Sequence, residues 1–304
     1  MEKPAVNGSP RHWSTHPAKL AVVTAVIAAA LAAMRISLDL AFLHGSLAPE
    51  ATHAALMAWL VLPTLLLAVG WAVFTTVVLR AQACRGLADR AQNRISWEAL
   101  PGLAVVLVLL AMSLWGLRQP DNRLEHAWNI ASVTLASLLV SMQPVLIAAL
   151  LIPVLRPRTG LAIGALVVAA VALAPTLAQQ LLMWVLSYEA RPTFWWALQL
   201  PECAAYALVA VALLQMERLR LWDALALHWG VYMALSVLRG LWNTDAGASA
   251  AVWLNGAHQL ILWALPALAA LYCLRMWDRG ISPARPFVAF ARRIRALAQH
   301  FLPI

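Results

Sequence analysis

Eight apolar stretches, most near or above the ~20 residues that a helix needs to cross a bilayer, dictate what this chain can fold into. They lie near 20–43, 54–79, 99–117, 127–155, 161–187, 194–216, 221–242 and 251–276, separated by short polar breaks. Inside lipid each backbone N–H and C=O must be satisfied within its own segment, so stretches of this length predict helices. The expected fold is all-α, an integral membrane bundle of about eight transmembrane helices. Composition excludes the aqueous alternatives: 63% of the 304 residues are apolar, 12% are charged and the mean hydropathy is +0.76. A soluble globular enzyme is nearer half apolar and a quarter charged, and a disordered chain is more polar still.

The net charge of +9 is a question of sides before it is one of partners. Seventeen of the 22 Lys and Arg residues fall in the N-terminus, the second, fourth and sixth loops and the tail from Arg275. The opposite loops hold only Arg118, Arg123 and Arg191. The positive-inside rule then puts both termini in the cytoplasm. The first stretch is longer than the apolar core of a signal peptide and leads straight into Arg35 and Asp39, so an uncleaved helix is expected. Residues 1–276 form the eight-span domain on this reading, and 277–304 a basic cytoplasmic tail. In that tail Phe287, Phe290, Ile294, Leu297 and Phe301 recur at helical spacing opposite Arg292, Arg293 and Arg295, as in an amphipathic helix lying on anionic lipid. The lipid surface accounts for the basic balance without a nucleic-acid partner. Trp115, Trp128, Trp195, Trp196, Trp242 and Trp253 lie where an outer aromatic belt is expected.

No Walker loop, G-x-G-x-x-G turn or Cys-x-x-Cys knuckle is present, so neither a nucleotide cofactor nor a metal is expected. Function is sought instead in polar groups that lipid tolerates poorly, where a charge costs roughly 3 kcal/mol even on the lenient insertion scale. Arg35 and Asp39, four apart on one face of the first span, can neutralise each other. Asp223 and His228, in the inner half of the seventh span, read as structural. Cys84 and Cys273 lie on the cytoplasmic side and Cys203 on the outer side, so no disulfide can join Cys203 to either. If the sixth helix begins at Pro201 rather than at Phe194, Cys203, Arg239 and His258 all lie within roughly 10 Å of the outer surface on three consecutive spans. A thiol near an imidazole and a fixed cation is the arrangement nucleophilic catalysis requires.

These positions resemble the exosortase/archaeosortase family of multi-spanning membrane cysteine transpeptidases. The resemblance rests on Pro201-Glu202-Cys203-Ala204-Ala205, on Ser236-Val237-Leu238-Arg239-Gly240, and on Gly256-Ala257-His258 followed by Trp263. The chain has Ala204-Ala205 where the family usually has Ser-Gly, and Ser236 where it often has Asn. The resemblance implies an enzyme of the bacterial inner membrane in which Cys203 attacks a peptide bond near the C-terminal sorting signal of a secreted protein. His258 would then serve as general base and acid, and Arg239 would stabilise charge. Glu202, Tyr206, Arg35 and Asp39 are candidates for shaping the site, on depth alone. The competing class is a non-enzymatic membrane protein, either an assembly scaffold or a subunit holding a b-type haem between two of His44, His126 and His258. A proton-coupled carrier, with spans bent at Pro63, Pro144 and Pro175, ranks below both.

Overall fold

A computed structural model describes residues 16–44, 65–78, 97–115, 123–186, 194–216, 221–243 and 250–281. The side chains of Asp39, Arg239 and His258 lie outside the described residues, as does the tail beyond residue 281, with its expected amphipathic helix. Everything described is helix or the turns that join helices, with no strand. The elements are α1 (Pro17–His44), α2 (Leu65–Val78), a 3-10 turn at Trp97–Ala99 leading into α3 (Leu100–Trp115), α4 (Arg123–Thr159), α5 (Leu161–Leu186), α6 (Phe194–Gln215), α7 (Leu221–Asn243) and α8 (Ala250–Asp278). Each of the eight helices lies on one of the eight apolar stretches.

Three of them are long and apolar enough to cross a membrane by length and hydropathy: Pro17–Arg35, Ser137–Thr159 and Leu161–Leu182. Burial separates them, since 72% of the apolar window of α4 is covered by protein but only 22% of that of α1. Around α4 pack α1, α3, α5, α6 and α7, and between Val145 and Leu155 almost every side chain is enclosed. A helix apolar on all sides and covered on all sides is the centre of a bundle. The outer helices instead expose apolar stripes: Val69, Val73 and Val77 on α2, Leu107, Val108 and Met112 on α3, and Leu265 and Leu268 on α8. So much exposed apolar surface would aggregate in water and is at home in lipid.

Small residues allow the closest approach. Gly102 of α3 lies against the Ala226 carbonyl of α7, and a Cβ added at Gly230 would stand 2.8 Å from the Gly102 Cα. Ala226 and Gly230 are four apart, so α7 offers α3 a small-xxx-small face on which the two backbones meet directly. At one end of the bundle, Asp278 closes α8 by accepting the Leu161 N–H at 2.8 Å and the Ala162 N–H at 2.9 Å, capping the start of α5 from 116 residues away. Gly160, at φ 78°, makes the tight turn from α4 into α5 that exposes those donors. Arg156 of α4 donates to Gln215 of α6 at 2.9 Å, so the ends of α4, α6 and α8 and the start of α5 meet at this basic end.

The sixth helix starts with its apolar stretch and not at Pro201: α6 begins at Phe194 and carries Pro201 in its interior. A proline costs a helix one N–H and crowds the preceding turn, which bends the helix without ending it when neighbours pack on both sides. Cys203 is therefore nine residues into α6, about 13 Å along its axis.

Candidate functional site

Short helical repeats build one wall each of a cavity of about 280 Å³ inside the bundle. From α6 come Glu202, Cys203 and Tyr206, three residues of one face. From α5 come Ala172, Pro175, Thr176 and Gln179, at the three- and four-residue spacing of a single stripe. Leu139, Val140, Gln143 and Pro144 of α4, Ala32 and Arg35 of α1, Leu67 of α2 and Tyr232 of α7 complete the lining. The walls thus combine a thiol, a carboxylate, a guanidinium, two amides and three hydroxyls within an otherwise apolar bundle.

Cys203 is half-buried, and its Sγ lies 3.0 Å from the Thr176 Oγ1. Either atom can donate: the thiol to the hydroxyl, or the hydroxyl to a thiolate. Beneath this pair Tyr206 lies edge-on to His228 at 5.8 Å and tilted against Tyr232 at 5.0 Å. His228 is fully buried and its Nε2–H donates to the Tyr206 carbonyl at 3.0 Å, which fixes the tautomer and leaves Nδ1 as a neutral acceptor without a partner among the described residues. The Trp229 indole on the next position donates to Ser137 of α4 at 2.8 Å. These two bonds hold α7 to α6 and α4 one turn below the cavity.

Cys203 and three of the four shaping candidates, Arg35, Glu202 and Tyr206, line this one cavity. Asp39 lies on α1 with its side chain outside the described residues. Arg239 and His258 fall within α7 and α8, and their side-chain geometry toward Cys203 is likewise outside the described residues. The haem candidates His44, His126 and His258 fall in the same group. Both α7 and α8 pack on α6, and Trp263 of α8 is buried against Ala205, two residues past Cys203.

Sequence reasoning missed Thr176, Gln143, Gln179 and Tyr232. For the α5 pair a signal was present, since Pro175, Thr176 and Gln179 interrupt one stripe of an otherwise apolar span. Among the described residues no group of three or more His, Cys, Asp or Glu side chains is arranged to hold a metal ion. Compared with protein-family models, with curated proteins and with solved structures, the chain matches none.

Proposed function

We propose that this chain is an eight-span cysteine transpeptidase of the exosortase type, with both termini in the cytoplasm, that cleaves the C-terminal sorting signal of secreted proteins at the outer face of the bacterial inner membrane. The observation that carries the reading is the position of Cys203 on the wall of a cavity within an apolar bundle, its sulfur within hydrogen-bonding distance of Thr176 and the lining shared with Glu202, Tyr206 and Arg35. Reactive thiols sit in partly exposed sites, whereas structural cysteines are sealed in apolar packing. Two register arguments add support. Arg239 follows Tyr232 by seven residues, hence two turns on along the same face of α7. His258 precedes Leu262 by four, and Leu262 packs on the Ala205–Trp263 contact with α6.

In the proposed reaction the Cys203 sulfur adds to the carbonyl carbon of the scissile peptide bond, and its proton passes to the His258 imidazole. Arg239 stabilises the oxyanion. When that intermediate collapses, the C–N bond breaks and His258 returns the proton to the leaving amine, giving a thioester on Cys203. An acceptor nucleophile then takes the acyl group by the same steps in reverse order, and the thiol is restored.

The test is complementation. Cells lacking this chain should accumulate secreted proteins that retain their C-terminal membrane helix, and the wild type should restore processing while equally expressed Cys203→Ala does not. Restoration by Cys203→Ala would eliminate the mechanism. It would favour the non-enzymatic reading, a membrane scaffold or cofactor-holding subunit.

A further inference from the structure

The transpeptidase reading leaves open how a peptide is held while Cys203 attacks it. A peptide bond inside a helix is a poor target, because its carbonyl is sealed by the N–H four residues on and the chain gives a nucleophile little access. The segment must therefore unwind, and in an apolar bundle every N–H and C=O so freed costs several kcal/mol unless a partner meets it.

The cavity wall has the chemistry to supply those partners. Pro144 of α4 and Pro175 of α5 both line it, and each lies within its helix. A proline has no N–H, so the carbonyl four residues earlier loses its intrahelical donor. Those carbonyls belong to Val140, itself a lining residue, and Val171, next to the lining residue Ala172. On the same two stripes stand Gln143 and Gln179, whose amides both donate and accept. Two helices thus bring to one cavity a proline and a side-chain amide each, on walls shared with Cys203 of α6, and each proline leaves a carbonyl one turn back without its helical donor.

We infer that the α4 and α5 wall is a main-chain binding edge, which grips an extended substrate peptide through the Val140 and Val171 carbonyls and the Gln143 and Gln179 amides while Cys203 faces its scissile carbonyl. The inference rests on the transpeptidase reading and deepens it: the occupant is recognised by its unwound backbone, and the prolines free the carbonyls that meet it.

The experiment uses the full-length chain in lipid nanodiscs with Cys84→Ser and Cys273→Ser, leaving Cys203 as the one thiol. The probe is acetyl-trialaninal. Its aldehyde carbon forms a bond to the Cys203 sulfur, the carbonyl π pair goes to oxygen, and the thiol proton ends there, giving a reversible hemithioacetal that blocks alkylation by N-ethylmaleimide. A second probe is the same aldehyde with every peptide nitrogen methylated, which removes the N–H donors and keeps the electrophile. The parent aldehyde should protect Cys203 at about tenfold lower concentration than its methylated analogue. Pro144→Ala returns an N–H to the Val140 carbonyl and should cut that preference to about twofold. Gln143→Met, which leaves the helix intact, should reduce it in the same direction.

Equal protection by the two aldehydes in the wild type overturns the inference, as does a tenfold preference that survives in Pro144→Ala, Pro175→Ala and Gln143→Met alike. Failure of the transpeptidase reading is separable, because it appears as complementation by Cys203→Ala in cells.

Discussion

The Thr176 hydroxyl stands within hydrogen-bonding distance of the Cys203 sulfur, at 3.0 Å. When the thiol ionises that hydroxyl becomes its donor, so Thr176→Val, which keeps the shape and removes the oxygen, should slow alkylation of Cys203 at neutral pH by about fivefold, the effect of a typical ~1 kcal/mol hydrogen bond. Thr176→Ser should restore the rate. An unchanged rate in the valine variant, measured by iodoacetamide labelling of the single-thiol protein, would reduce the contact to simple packing. The residue that needed the fold to be found was this one. A threonine in an apolar span usually bonds the carbonyl of its own previous turn, as Thr76 and Thr159 do here, so its type predicts no partner in another helix. Cys203, Glu202, Tyr206 and Arg35 were legible for the opposite reason: charge, thiol and phenol are conspicuous in a span whatever they face. Depth along the helix is readable from sequence, whereas the rotation of one helix against another is fixed by packing.

At the scale of elements, the helices were legible because the distance between polar breaks sets their length. Their junctions were less so. The α3–α7 contact depends on Gly102 and Gly230, two glycines 128 positions apart whose pairing no local pattern announces. Leucine at Gly230 has no room against the Gly102 backbone, and Gly230→Leu should lose ~1–3 kcal/mol of stability by overpacking, seen as a lower thermal midpoint in detergent. Gly164→Ala is the control: its new methyl would meet neighbours at 3.4 Å and beyond, and it should be neutral or stabilising by up to ~1 kcal/mol. If both variants melt with the wild type, the helices are not held at backbone contact. A second junction makes an independent prediction. Asp278→Ala removes both acceptors from the start of α5, and loss of such a cap costs ~0.5–2 kcal/mol. Asp278→Asn, which keeps one carbonyl oxygen, should fall between. Hydrogen exchange localises the effect: the amides of Leu161 and Ala162 should exchange faster in the alanine variant, and unchanged protection there would mean that the turn at Gly160 closes without the carboxylate.

For the whole molecule, the proposed arrangement rests on two constraints that act together: lipid demands helices, and on the proposed topology the distribution of charge chooses their direction. Arg156 and Arg158 end α4, and Arg275 and Arg279 stand at the end of α8, which the Asp278 cap ties to the start of α5. Four positive residues thus share the end of the bundle that the positive-inside rule assigns to the cytoplasm, and the proposed Cys203 site belongs toward the other end. This gives a test of topology without reference to activity. Green fluorescent protein fused at the C-terminus should fluoresce, while alkaline phosphatase should be inactive there and after Arg218 but active after Gly247 and Pro120. With Cys203 as the sole thiol, a charged methanethiosulfonate that cannot cross the bilayer should label intact spheroplasts from outside, at a rate that falls when acetyl-trialaninal is present. Active phosphatase at the C-terminus would invert the orientation. Labelling only from inverted vesicles would put the thiol on the cytoplasmic side, out of reach of any secreted substrate, and would refute the proposed function even if the α4, α5 and α6 walls of the cavity were right in every contact.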